Sequence, residues 1–294
     1  MAELTRPTTL GATPAPGRPA VPGDPPARAA SGPTRWVLRL VAVAYVLVLV
    51  VLPLVVMVGR TFEDGIAAFV QSVTSPEAVA AVTLSLQVAV QAVVVNTVFG
   101  VAVALLLTRY RFRGRGVLNA LVDLPVSVSP VIAGLALILV YGRNGWFGGA
   151  LEWLGVQVIY SVPGIVLATC FVSLPLVVRE LVPVLDEIGL EQEQAGRALG
   201  ANAWQRLWRL TLPSVRWALA YGVVLSLARA LGEFGAVRVV AGNVLGSTQT
   251  MPLLAAQRYA DLDESGAYAI SFVMVAVAIL CILVVALLRP RDHR

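Results

Sequence analysis

The sequence predicts an all-α integral membrane protein of about six transmembrane helices. Three observations predict it. Of its 294 residues, 58% are hydrophobic and only 13% are charged, a balance foreign to ordinary soluble domains. Runs of roughly 20 apolar residues, the length a helix needs to cross a bilayer, recur along the chain. Arginine gathers in alternate connections between those runs, as the positive-inside rule requires of a multi-pass chain.

The elements follow in order. Residues 1–34, with "TLGATPAPGRPAVPGDPPARAASGP", are rich in Pro, Ala and Gly without an apolar period, so a disordered cytoplasmic tail is expected. The tail is too long and proline-rich to be the short charged start of a cleaved signal peptide, and the run at 36–58 is read as a retained first span. Further spans are expected near 80–107, 117–141, 160–182, 215–240 and 266–288. The fifth is interrupted by Arg229, Glu233 and Arg238. The membrane domain is thus placed at 35–289, with a short cytoplasmic tail at 290–294.

Orientation comes from arginine placement. With the N-terminus in the cytoplasm, the inner segments collect Arg35 and Arg39, then Arg109, Arg111, Arg113 and Arg115 in "RYRFRGRG". They also collect Arg179, Arg197, Arg206, Arg209 and Arg216, and finally Arg289, Arg291 and Arg294. The outer segments hold Arg60, Arg143, Arg238 and Arg258. Both termini are therefore expected in the cytoplasm of a protein that crosses the cytoplasmic membrane several times.

All 22 basic residues are arginine. A phosphate-binding P-loop needs a lysine and Schiff-base catalysis needs one too, so any ATP chemistry must belong to a partner. Cys170 and Cys281 fall inside expected spans as small apolar packing residues, which leaves no disulfide framework. The single histidine, His293, is next to last. Neither a metal site, a resident cofactor, a nucleic-acid interface nor an enzyme active site is expected.

Between the fourth and fifth runs stands "LEQEQAGRALGANAWQRLWRLTLP", 190–213, with three arginines and two glutamates. Its chemistry describes two short helices at an angle. The first runs from about Asp186 to Leu199 and stops at Gly200, a residue suited to the left-handed helix end. Asn202 is the N-cap of the second, with Gln205 three residues on giving a capping box. Leu199, Ala203, Trp204, Leu207 and Trp208 recur at helical steps, and Pro213 opens the next span. Amphipathicity alone fits equally a helix lying in the lipid headgroups.

The spacing resembles the cytoplasmic loop of ABC importer permeases: Glu-Ala-Ala, three residues, Gly, nine residues, an aliphatic residue, one residue, then Leu-Pro. Here that pattern falls on Gln194-Ala195-Gly196, Gly200, Leu210 and Leu212-Pro213. The leading acid is replaced by Gln194 and the second alanine by Gly196, with Glu193 one position earlier as the candidate acid. "DLPVSVSPVIAGLALILVYGRNGWFG" (123–148), "LPLVVRELVPVL" (174–185) and "ARALGEFGAVRVVAGN" (228–243) resemble the sulfate/thiosulfate permeases, most nearly their W-type subunit. The "GEFGA" element is shared with molybdate permeases, so molybdate or tungstate import is the alternative on this scaffold. A channel or secondary transporter is a more remote one.

The resemblance implies a type I ABC importer permease fold and one half of a pore that translocates sulfate or thiosulfate. It also implies a homologous T-type permease partner, two cytoplasmic ATPase subunits carrying ATP and Mg, and an extracytoplasmic sulfate-binding protein. The segment 186–213 is implied to be the coupling helix region that docks on the ATPase.

Two features of the fifth span remain open on sequence alone. Ala218, Gly222, Ser226 and Ala230, and likewise Ala228, Gly232 and Ala236, repeat every four residues and suit close helix packing, within or between subunits. Arg229 and Glu233, four residues apart, are either an ion pair locking this helix to a neighbour or a cation facing an anion path with its restraining acid.

Overall fold

A computed structural model describes residues 32–288, and every regular element among them is helical. The expected tails lie outside the described residues, apart from 32–34, which begin the first helix. Contacts divide the chain into two units, Met1–Leu54 and Val55–Arg294. The first contains α1 (Gly32–Val46), a π-helical turn at Leu47–Val51 and the start of α2 (Leu52–Thr61). Side chains of 36–53 are exposed throughout, and Trp36–Thr61 is long and apolar enough to cross a membrane. The π turn has a local cause. Pro53 offers no N–H to the carbonyl four residues back and crowds it, and a widened turn just before the ring relieves the clash.

The second unit continues with α3 (Gly65–Thr74), α4 (Pro76–Arg109), α5 (Arg115–Ser127), α6 (Pro130–Tyr141), α7 (Gly148–Trp153) and α8 (Val162–Ile188). After them come α9 (Glu191–Ala198), α10 (Ala203–Arg206), α11 (Leu212–Ser214), α12 (Arg216–Leu231), α13 (Gly235–Val240), α14 (Met251–Ala260) and α15 (Glu264–Leu288). Among the described residues four helices are long and apolar enough to span, or up to six if each of two bent pairs counts as one span.

α4 is the axis of this unit. Its 34 residues reach roughly 51 Å at 1.5 Å per residue, more than a hydrocarbon core is thick. Ser75 caps its start, accepting from Ala78 N at 3.3 Å, and Pro76 occupies the first helical position. α8 packs closely along it: a Cβ at Gly100 would stand 2.9 Å from Val177 Cγ1. Polar side chains add two bonds at this seam, Asn96 Nδ2 donating to Ser173 Oγ at 2.8 Å and to the Cys170 carbonyl at 3.2 Å. α12 closes against α8 in the same manner, with the would-be Cβ of Gly222 only 3.2 Å from Val177 Cα. Gly222, Ser226 and Ala230 are buried inside the chain, so this small-residue stripe serves packing within the subunit.

Two expected spans are corrected. The run at 117–141 is not one helix: α5 and α6 are bent by 116° at Val128–Ser129. Pro130 has no N–H to give and drives Ser129 out of the helical region to ψ 132°, so the chain turns there. The run at 215–240 stops at Leu231, because Glu233 Oε1 accepts from Ala236 N at 3.0 Å and starts the separate helix α13. The Ala228, Gly232, Ala236 repeat therefore does not form one helix face. The two breaks touch. A Cβ at Gly235 would lie 3.0 Å from Pro130 Cβ, and one at Gly134 would lie 2.9 Å from both the Ala236 carbonyl oxygen and Val239 Cβ. α14, which no apolar period announces, follows the second break, its Met251 N–H donating to buried Ser85 Oγ at 2.8 Å.

Candidate coupling segment

Residues 189–215 join the end of α8 to the start of α12. α8 runs on through Asp186 to Ile188 and stops at Gly189, φ +70°, so the first short helix begins at Glu191 rather than near Asp186. Its end follows the expectation for Gly200. There φ is +83°, Ala201 N donates to the Gly196 carbonyl at 2.9 Å and Gly200 N to the Arg197 carbonyl at 3.0 Å. These two bonds make a Schellman stop, and only a residue that tolerates a left-handed φ sits comfortably in it.

Asn202 then starts α10 with both halves of a capping box. Gln205 N donates to Asn202 Oδ1 at 2.8 Å, and Asn202 N donates to Gln205 Oε1 at 2.9 Å. A π-helical turn at Leu207–Thr211 comes next, two residues ahead of Pro213, in the same relation as the earlier turn to Pro53. Pro213 lies in the short α11, and the 75° bend into the span comes at Val215, two residues after the proline expected to open it.

This backbone presents an uncovered apolar cap. Leu199 is 89% exposed, Trp204 67% and Trp208 55%, and the two indoles meet edge-on with centroids 5.5 Å apart. Arg197 and Arg209 are exposed around them, while Arg206 turns back and donates to the Ala201 carbonyl at 2.8 Å. Gln194 and Ala195 are exposed too. Gly196 faces inward, where a Cβ would press on Leu210 Cδ1 at 2.8 Å, and Leu210 and Leu212 are half-buried behind it. Glu193 points away from this cap. Its Oε1 accepts from Arg109 Nε at 2.9 Å and from Thr211 Oγ1 at 3.1 Å. Neither partner was separable from the other arginines and threonines by spacing, because both lie far from Glu193 in sequence.

The ion pair at the end of α12 exists. Arg229 Nη1 stands 2.9 Å from Glu233 Oε2, with the carboxylate side chain 2% exposed and the guanidinium 40%. The geometry is that of an ion contact rather than an aligned hydrogen bond, since Oε2 has no hydrogen-bond partner. Glu233 also lies beyond the helix, so the pair reaches across a helix end instead of along one face.

Residues 96–292 match the family described as "Binding-protein-dependent transport system inner membrane component". The chain belongs to this family of transport permeases. Among curated relatives, the permease is 42% identical over 257 residues to the sulfate transport system permease protein CysW of Synechocystis sp., covering 87% of this chain and 93% of that one. It is 40% identical to CysW of Escherichia coli (strain K12) over 257 residues, covering 87% and 88% of the two chains. Among solved structures it resembles, at 17% identity and a TM-score of 0.71, a bacterial alginate ABC transporter in complex with an alginate pentasaccharide-bound periplasmic protein, covering 86% of this chain and 92% of that one. The fold is that of an ABC importer permease, and the protein is a multi-pass membrane protein.

Proposed function

We infer that this permease forms one half of the pore of an ATP-driven importer of sulfate, with thiosulfate as a second substrate. Its relatives are named as sulfate permeases, and the "VRELVP" and "YGRNG" elements belong to the same resemblance. A T-type permease completes the pore, two ATPase subunits bind ATP and Mg in the cytoplasm, and a sulfate-binding protein delivers the anion outside. The chain itself holds no cofactor and hydrolyses nothing. Both termini and segment 190–213 face the cytoplasm, in keeping with the arginine bias.

The observation that carries the reading is the cap itself. A Schellman stop and a complete capping box spend the local polar groups on holding Leu199, Trp204 and Trp208 uncovered, at the spacing of a coupling loop. An ATPase groove that receives the cap moves with the nucleotide, and the segment passes that rigid-body shift to the spans. Glu193, Gln194, Ala195, Gly196, Gly200, Leu210, Leu212 and Pro213 form its frame, Glu193 and Gly196 from the inner side. The test is uptake of labelled sulfate by cells expressing the permease with its ATPase, competed by thiosulfate and by molybdate. Sulfate uptake that requires the ATPase and is lost in Trp204→Glu supports the reading. Uptake independent of the ATPase overturns it, and competition by molybdate alone moves the substrate to the molybdate alternative.

A further inference from the structure

Arg109 is the last residue of α4, and its side chain is only 9% exposed. It makes two bonds with different purposes. Nε donates to Glu193 Oε1 at 2.9 Å, and Nη1 donates to the Leu185 carbonyl at 2.9 Å. Leu185 lies in the last turn of α8, where carbonyls lose their helical donors, so Arg109 satisfies an otherwise stranded acceptor. Thr211 Oγ1, from the π turn, donates to the same Glu193 oxygen at 3.1 Å. One guanidinium and one carboxylate thus hold four elements together: α4, α8, α9 and the turn before α11.

We propose that the Arg109–Glu193 pair is the latch that makes the coupling segment move as one body with α4, with Arg109 as its positioning residue. The inference rests on the reading of 190–213 as the coupling segment and adds the route by which its motion leaves it. Glu193 is the one acid near the start of the motif that turns inward, and Gln194, at the family's acid position, is exposed and uncharged. The carboxylate therefore acts inside the chain instead of on the ATPase. α4 is suited to carry the motion because its other end is also tied. Arg258 Nη2 donates to Ser75 Oγ at 2.8 Å, and Met251 N, at the start of α14, donates to Ser85 Oγ at 2.8 Å. A displacement of the coupling segment reaches the opposite end of α4, and the loop before α14, through paired polar contacts at each end. A rigid element biased at one end is the physical basis for coupling over such a distance.

The test uses the assembled complex in lipid nanodiscs and measures ATP hydrolysis with and without sulfate-saturated binding protein. Arg109→Gln and Glu193→Gln are expected to keep the ATPase bound while the ratio of stimulated to unstimulated hydrolysis falls about tenfold, within the usual range of coupling between sites. The exchange Arg109→Glu with Glu193→Arg is expected to recover at least half of the lost ratio. Thr211→Val, which removes the hydroxyl that reaches Glu193 at 3.1 Å and, more distantly, the Arg206 carbonyl at 3.4 Å, and removes no charge, covers the case in which the single neutralisations reduce the amount of complex. Its ratio is expected to fall roughly two- to twelvefold, the range spanned by the net worth of one hydrogen bond. A wild-type ratio in both neutralised variants, or in Thr211→Val where those do not assemble, overturns the proposal, as does an exchanged pair that assembles and performs no better than the singles. Failure of the coupling reading itself looks different. Then Leu199→Glu and Trp204→Glu would still co-purify with the ATPase, whatever the latch variants do.

Discussion

Gly134 and Ala236 lie in contact across the two broken spans: a Cβ on Gly134 would stand 2.9 Å from the Ala236 carbonyl oxygen. Both breaks fall in stretches read from the sequence as family elements, "SVSPVIAG" and "GEFGA", and the structure gives Gly134 and Gly235 a packing reason. Gly235 leaves room for Pro130, and Gly134 leaves room for the backbone of α13. Gly134→Val is therefore expected to destabilise the permease by about 1–3 kcal/mol, the usual cost of forcing bulk into a packed site. Thermal denaturation in detergent with the partner subunit present checks this, and an unchanged midpoint would contradict the close approach.

Gly200 has no neighbour within 4 Å of a would-be Cβ, so its requirement is conformational, not steric packing. At φ +83° a β-branched residue costs roughly 1–2 kcal/mol and favours unwinding of the Schellman stop. Gly200→Val is expected to reduce ATPase co-purification severalfold at normal membrane levels, whereas Gly200→Asn, which tolerates that region, retains most of it. Equal retention by both variants would remove the turn from the docking surface.

The two Trp residues are expected to act together. Trp204→Ala with Trp208→Ala removes an edge-on pair that is mostly uncovered, so the isolated permease should lose under about 1 kcal/mol of stability. ATPase binding should fall at least tenfold, since buried aromatic anchors dominate interfaces. The readouts are the melting temperature and pull-down of the ATPase from the same preparation. A large fall in stability with binding intact would mean that the pair supports the fold instead.

Much of this was legible in sequence, for identifiable reasons. Apolar length and arginine bias report directly on the bilayer, so the long spans α4, α8 and α15 were readable. Gly200, Asn202 and Gln205 were readable too, because caps and stops are local: the donor, the acceptor and the φ requirement all lie within six residues. The break at Val128–Ser129 was missed although Pro130 announced it, because hydropathy continues unbroken through the proline. The end of α12 at Leu231 was hidden likewise, since Glu233 caps α13 by a choice of partner that spacing does not fix. Arg109 with Glu193, and Ser85 with Met251, join residues 84 and 166 positions apart, and only folding brings them together.

Topology has a direct test. Single cysteines at Arg113 and at Trp204, in a background with Cys170 and Cys281 replaced, are expected to resist an impermeant thiol reagent added to intact cells. A cysteine at Arg143, an exposed residue ion-paired at 2.9 Å with Glu152, is expected to react. Labelling at the first two positions would invert the orientation and remove 190–213 from the reach of a cytoplasmic ATPase.

Arg229 and Glu233 yield the last prediction. Glu233 is 2% exposed and caps α13 through Ala236 N, whereas Arg229 keeps 40% of its side chain uncovered. The carboxylate is thus committed to the fold, and the guanidinium is its neutralising partner with part of its surface free. Arg229→Gln strands a buried negative charge and is expected to cost up to about 3 kcal/mol, below the full penalty of a buried pair because the arginine is half-open to its surroundings. Glu233→Gln keeps an acceptor for Ala236 N, so the double variant Arg229→Gln with Glu233→Gln should regain most of the lost assembly, measured as the amount of complex recovered with the partner subunit. Sulfate uptake by that double variant then separates two roles. Uptake restored along with assembly makes the pair a brace for the second break. Uptake still reduced tenfold or more, with binding-protein stimulation of the ATPase intact, places Arg229 on the path of the anion. Full assembly and uptake in Arg229→Gln alone would dismiss both roles, since a carboxylate buried to that degree cannot lose its counter-charge without consequence.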